Sequence, residues 1–423
     1  MSKNLKLALG LSAALIASPV VAKEGYDDAA KVARLDHVYL IMMENHGFGQ
    51  VIGNPDLPFI NAWAKQANLA TNYFAVGHPS FTNYIEVIGG SNFGIRSDNP
   101  PDWHNASCQP NLATGQPNLE GSGPVCPIAG MGADAATPAI DCSNEYSGGV
   151  CGNDIDGVKF YKADPNIEAK SIADQLVAAG LSIKDYQEDI PSNPDGVNYS
   201  DGQFTNLTDF KKLNAEFTPP LATPLSTKNI VQLYAAKHNP FVYFARNQTG
   251  HGPVPYKAMV GFGGADGLFA DLAAGKSPSF SFIAPNQCHD QHGQGSAASP
   301  FCAYDPKDQG TLAGLNPALM QAGDKALEKI VTAIKASPDW KRGRSAIFTV
   351  WDENDYSNQP NVNRVAMIVD ANFGPHGLKS NAYYDSFSLL KTMEGALGLP
   401  CLNHACDRDA AAMTDLLGQR DRN

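Results

Sequence analysis

The sequence predicts an α/β fold built on a mostly parallel central sheet, and three observations carry that expectation. Residues 36–43, DHVYLIMM, form a near-continuous apolar run rich in strand formers, as a parallel strand covered on both faces requires. From about residue 171 onward, strand-like runs alternate with helix-like stretches, the rhythm of a sheet with helices on both sides. Three of the strand-like runs stop at polar clusters, where open α/β sheets place their ligands.

The elements follow in order. Residues 58–69 read as a helix with Phe59, Trp63 and Ala67 on one face, and 73–76 as a short strand. The stretch 77–90, GHPSFTNYIEVIGG, turns into a second helix with Ser80 at its start. From about 95 to 164 neither period persists, and Gly, Pro, Asn, Asp and four cysteines dominate, which predicts a disulfide-pinned, cap-like insertion. Helices are then expected at 171–179, 229–237, 268–274, 318–336 and 384–397. Strands are expected at 181–187, 241–245, 279–284, 345–351 and 364–369. The helix 318–336 carries Ala326, Leu327, Ile330, Val331 and Ile334 as one apolar stripe.

Residues 1–22 combine Lys3 and Lys6 with the apolar run 7–16 and the small residues up to Ala22. This is the pattern of a signal peptide cleaved after Ala22, so the chain is expected to be exported, to the periplasm or beyond. The remainder, 23–423, is expected to form a single domain with the insertion at about 95–164. No later stretch has the apolar length of a membrane helix, which argues against stable membrane insertion. The formal charge of −12, more negative once Lys3 and Lys6 are removed, disfavours nucleic acid and anionic membranes as partners. Eight cysteines in an exported chain suggest disulfides, and local spacing pairs Cys142 with Cys151, Cys288 with Cys302 and Cys401 with Cys406, leaving Cys108 with Cys126.

The chemistry is expected at the strand ends. Glu44 and Asn45 follow the first strand, Asp290 and His292 the fourth long one, and Asp352 and Glu353 the fifth. Carboxylates gathered at one sheet edge repel each other unless a cation is present. Ser80, at a helix N-terminus where backbone N–H groups favour an anion, suits a nucleophile toward phosphorus, with Asn83 stabilising the phosphoryl oxygens. The expected cofactor is a divalent metal ion held by Glu44, Asn45, Ser80, Asp352 and Glu353, with Asp290 and His292 at a second position. Oxygen ligands suit calcium or magnesium, and His292 tilts the choice toward zinc. No GxSxG nucleophile elbow occurs, and the P-loop-like Gly275-Lys276-Ser277 lacks the glycine that motif needs at position 270.

The series MMENHGFGQVIG, GHPSFTNYIEVIGG, IADQLVAAGLSIKDYQEDIP, PFVYFAR, PNQCHDQH, TVWDENDYS and SLLKTMEGALGLP resembles the phosphoesterase family of secreted acid phosphatases and non-haemolytic phospholipases C. That family is a distant relative of the alkaline phosphatases. The resemblance spans roughly residues 36–400 and implies an alkaline-phosphatase-like α/β/α sandwich that hydrolyses small phosphate esters. It implies Ser80 as nucleophile, through a phosphoserine intermediate, and Glu44, Asn45, Asp352 and Glu353 as metal ligands. Asp290 and His292 match the family's Asp-x-His. Acid phosphatase activity, possible on phosphoinositides, is the first expectation. A phospholipase C-like diesterase and an inactive exported binding protein of the same fold are the alternatives.

Overall fold

The computed structural model describes residues 28–93, 167–190, 233–247, 252–293, 302–305, 310–354 and 363–420. The expected leader, the insertion at 95–164 and the pairings of Cys108, Cys126, Cys142 and Cys151 lie outside them.

Nine strands form one sheet among the described residues. They are β1 His37–Met43, β2 Asn68–Phe74, β3 Ile183–Gln187, β4 Met259–Val260, β5 Phe280–Ala284, β6 Ser345–Trp351, β7 Arg364–Ala371, β8 Lys379–Ser380 and β9 Tyr384–Asp385. The order is β4-β3-β5-β1-β6-β7-β2-β8, with β9 also pairing with β2. Only the β6–β7 and β7–β2 pairings are antiparallel, so β7 alone runs against the rest. β1 sits at the centre, in register with β5 through Val38↔Phe280 and with β6 through His37↔Ser345. Its residues from Val38 to Met43 are buried without alternation, because both faces are covered.

The helices are α1 Phe48–Val51, α2 Pro58–Gln66, α3 Ser80–Gly89, α4 Ile172–Ala178, α5 Leu268–Ala274, α6 Pro317–Ala336, α7 Pro338–Arg342, α8 Ser386–Leu397 and α9 Thr414–Leu417. α2, α5 and α7 pack against α6, while α8 and α4 pack against α3. The expected stripe of α6 buries Leu327, Ile330, Val331 and Ile334, with Ala326 half-buried at its border. Local chemistry sets the helix starts. Asn316 caps α6 by accepting from Ala318 N–H, Ser337 caps α7 by accepting from Trp340 N–H, and Ser171 and Asp174 form a capping box on α4. Helix α2 lacks a cap of its own. Asp324 of α6 supplies it, accepting from the Phe59 and Ile60 N–H groups at 3.0 and 2.8 Å.

Four expectations need correction. The helix expected at 58–69 stops at Gln66 and the strand expected at 73–76 runs over Asn68–Phe74, because Asn68 and Leu69 already pair with β7. The run 241–245 is not a strand, because Pro240 opens a 3-10 turn over Pro240–Tyr243 whose apolar residues are buried all round. A short apolar run reads alike in a strand and a buried turn, so periodicity could not separate them. Of the helix expected at 229–237, the described part contains only the 3-10 turn Ala236–His238. The last long helix begins at Ser386 rather than Tyr384, because Tyr384 and Asp385 pair with β2 as β9 and Asp385 then caps α8 by accepting from Ser388 N–H. The spacing-based disulfides Cys288–Cys302 and Cys401–Cys406 are both present.

Candidate active site

Because β5, β1 and β6 are parallel neighbours, the residues that follow them emerge at the same edge. Backbone hydrogen bonds carry the contact one step beyond the strands. Glu44 N–H donates to the Asp290 carbonyl and Asp352 N–H to the Met43 carbonyl, each at 2.8 Å. Asn45 turns sharply in the left-handed region, φ 45°, a conformation asparagine tolerates better than most residues, and its N–H donates to Asp352 Oδ1 at 3.1 Å.

Ser80 comes from farther away, since β2 lies two strands beyond β6. The loop before α3 bridges the gap. Asn83 Oδ1 accepts from the Val76 and Gly77 N–H groups at 3.2 and 3.1 Å, and its Nδ2 donates to the Gly77 carbonyl at 2.8 Å. Asn363, just before β7, fastens the loop from outside: its Nδ2 donates to the Gly77 carbonyl at 3.0 Å and its Oδ1 accepts from Asn354 N–H at 2.9 Å. An alanine at Gly77 would bring a Cβ to 2.9 Å from Thr82 Oγ1, so this turn needs its glycine.

The Ser80 hydroxyl consequently lies 3.1 Å from Glu44 Oε2, 3.3 Å from Asn45 Oδ1 and 3.0 Å from Glu353 Oε1. Ser80 and Glu44 are buried. One hydroxyl proton cannot serve three acceptors, and two lone-pair contacts are left facing oxygen. Asp352 Oδ2 is buried with no hydrogen-bond partner. Burial pushes the Glu44 and Asp352 carboxyls well above their ordinary range, each reinforced by a neighbouring carboxylate. Oxygen crowding around one hydroxyl, an orphaned carboxylate oxygen and mutually repelling carboxylates are the features a hard divalent cation satisfies, so the residues fit a metal at Glu44, Asn45, Ser80, Asp352 and Glu353.

On the other side of Glu44 stands His238. Its Nε2 lies 3.1 Å from Glu44 Oε1 and its Nδ1 3.1 Å from Asp290 Oδ2, neither contact with the alignment of a hydrogen bond. Burial lowers the His238 pKa well below its ordinary value, and Lys237 and His292 add to the effect. Burial likewise raises Asp290, with Glu44 adding to it. Ligand atoms of Glu44, His238 and His292 lie within 4.8 Å of one another and form a second group able to hold a cation. Tyr84, one turn after Ser80 on α3, stacks on His238 with ring centroids 5.1 Å apart.

The structure therefore brings together Glu44, Asn45, Ser80, Asn83, Asp352 and Glu353, and draws Asp290 and His292 to the far side of Glu44 through His238. His238 gave no signal in the sequence, because a single histidine in Lys-His-Asn-Pro belongs to no motif and to no periodic element. His78 faces the cluster through Nδ1, 2.6 Å from Glu353 Oε2. Asn286 shapes its own loop by accepting from Cys288 and His289 N–H groups, and His289 pairs with Glu188 at 2.8 Å. His404 is buried against Phe387 and paired with Asp407. His376 is exposed.

Among curated proteins, the chain is 34% identical over 105 residues to a phosphatidylinositol-3-phosphatase of Mycobacterium tuberculosis. The match covers 25% of this chain and 34% of that protein, so it spans about a third of the relative's length. Among solved structures, the chain is similar to an alkaline phosphatase superfamily protein from Vibrio parahaemolyticus, with TM-score 0.44 and 12% identity over 90% of this chain and 70% of the other. It is similar also to a phosphonate monoester hydrolase of Agrobacterium radiobacter, with TM-score 0.41 and 12% identity over 90% and 77%. The sequence matches the phosphoesterase family over residues 54–300, more than half of its length, and the chain belongs to that family.

Proposed function

We propose that the protein is an exported, metal-dependent phosphomonoesterase that uses Ser80 as its nucleophile. The observation that carries this reading is the Ser80 hydroxyl held 3.0–3.3 Å from oxygens of Glu44, Asn45 and Glu353 at the start of α3. Family membership and the phosphatase relative support it.

A divalent ion among Glu44, Asn45, Ser80, Asp352 and Glu353 would supply positive charge for the serine oxygen and the phosphoryl group. The chain's own residues do the rest. Ser80 Oγ passes its proton to Glu353 Oε1 and forms a bond to phosphorus as the ester bond breaks, and the leaving alkoxide takes a proton from water. His78, against the other oxygen of Glu353, holds that carboxylate in place. Asn83 fixes the loop through Gly77, and its weaker contact, 3.4 Å from Glu353 Oε2, is the N–H able to turn to a phosphoryl oxygen. Water then cleaves the phosphoserine, releasing inorganic phosphate and returning the proton to Ser80.

The deciding experiment is turnover of p-nitrophenyl phosphate against p-nitrophenyl phosphorylcholine, with inositol phosphates as natural candidates. The monoester is expected to be preferred, and Ser80→Ala is expected to lower kcat by about 10³-fold or more with the melting temperature unchanged. Near-wild-type turnover by that variant removes Ser80 from its role. Export is tested by sequencing the amino terminus of the protein recovered outside the cytoplasm, where Lys23 is the expected first residue.

A further inference from the structure

The histidine side of the site already holds a cation made by the chain. Lys237 Nζ lies 3.1 Å from His292 Nε2. The other nitrogen of that ring, Nδ1, lies 2.6 Å from the Gly293 carbonyl and must donate to it, so Nε2 carries the lone pair and accepts from the ammonium. One lone pair can face an ammonium proton or a metal ion, not both. A metal ligated by His292 through this nitrogen would have to displace Lys237.

The turn Ala236–His238 that carries Lys237 is anchored. Gln187, the last residue of β3, donates from Nε2 to the His238 carbonyl at 3.2 Å and to Asp185 Oδ1 at 2.8 Å. His238 is held in turn between Glu44 and Asp290 and under Tyr84. The lysine tip is thereby set among acidic groups, its charge acting on Glu44, Asp290 and Asp352 alike. A phosphate dianion entering beside four carboxyl groups needs more positive charge than one divalent ion offers. An ammonium with three N–H donors can hold His292 and a phosphoryl oxygen at once.

We infer that Lys237 is a phosphate-binding residue of the site and stands where a second metal ion would otherwise sit, so that the enzyme works with one metal ion and one lysine. The inference rests on the phosphatase reading for its substrate but is tested by binding rather than by turnover.

The experiment measures metal content by elemental analysis, and inorganic phosphate affinity by calorimetry, in wild-type protein, Lys237→Met and Lys237→Arg. The expected result is one tightly held ion per chain in the wild type. Phosphate binding should weaken at least tenfold in Lys237→Met at unchanged metal content, and stay within about threefold in Lys237→Arg, which keeps the charge. Two tightly held ions in the wild type overturn the inference. So does unchanged phosphate affinity in Lys237→Met, or loss of the metal together with phosphate binding in that variant, which would make Lys237 a counter-charge only. Should Lys237→Met fail to fold, Lys237→Gln is measured by the same criteria. Wild-type protein that binds phosphate through Lys237 yet hydrolyses no ester would leave this inference standing and remove the catalytic reading instead.

Discussion

Asn363 donates from Nδ2 to the carbonyl of Gly77 at 3.0 Å, joining the residue just before β7 to the loop that carries Ser80. The same side chain accepts from Asn354 N–H, next to Glu353, and the backbone carbonyl of Asn363 accepts from Ala75 N–H at 3.0 Å. One buried amide thus sets the distance between the serine and its acidic neighbours.

Removing that amide should separate the two loops. Asn363→Ala leaves the Asn354 N–H without its acceptor, at a cost of about 1–3 kcal/mol in stability, and leaves the Gly77 carbonyl to Asn83 alone. The turnover of p-nitrophenyl phosphate should fall by roughly 10–100-fold, because a displacement of about 1 Å in the nucleophile is enough to lose that much. Denaturant unfolding and kcat measured on the same preparation check both parts.

A chelator should abolish activity and lower the melting temperature together, since an ion bound only to the folded chain stabilises it by mass action. Readdition of one divalent ion should restore both. Calcium, magnesium and zinc compared in parallel identify the preferred ion, and a melting temperature unmoved by chelation would show that no ion is held at the carboxylate cluster.

Gly323→Ala is expected to damage the site from a distance. Exchanging glycine for alanine inside a helix is ordinarily favourable by roughly 1 kcal/mol, but a Cβ here would meet Gln291 Cγ at 2.3 Å. Gln291 stands between Asp290 and His292 and is fixed by Trp351 Nε1–H, which donates to its Oε1, and by its own donation to the Met320 carbonyl. Pushing it aside shifts both neighbours. Loss of kcat at least fivefold, with circular dichroism unchanged, is the expected outcome.

Glu394 of α8 is buried, and burial pushes its pKa up to about 9 against the smaller downward pull of Gln175, the Leu402 backbone and Lys391. Its folded-state pKa is raised, so its contribution to stability is complete below the unfolded pKa and is lost as pH rises toward 9, at about 1.4 kcal/mol per pH unit across that window. Glu394→Gln, neutral at every pH, should therefore match the wild type near pH 5 and exceed it increasingly by pH 8. Parallel thermal melts at the two pH values test the sign.

Much of this was legible before any coordinates. The run 345–351 and the helix 268–274 coincide with β6 and α5, because each is bounded by strong signals: a polar cluster after Trp351 and glycines on either side of α5. The acidic and amide residues of the site were legible for a related reason, since each directly follows a parallel strand or opens a helix. His238, Lys237 and Asn363 were not. Lys237 only closed the helix expected at 229–237, His238 and Asn363 lie in no periodic element, none of the three belongs to a spaced motif, and each acquires its role from a residue more than fifty positions away.

By itself the sequence determined the alternation of strands and helices, the polar tips of the central strands and the serine at the head of a helix, because these depend on local periodicity and on the residues that begin and end elements. Only the tertiary structure decided that β5, β1 and β6 lie side by side, that the loop after β2 reaches back across β7 to bring Ser80 against Glu44 and Glu353, and that Lys237 meets His292. Strand order and loop reach come from packing between distant segments, and no local pattern encodes which distant side chains will share a buried, charged space.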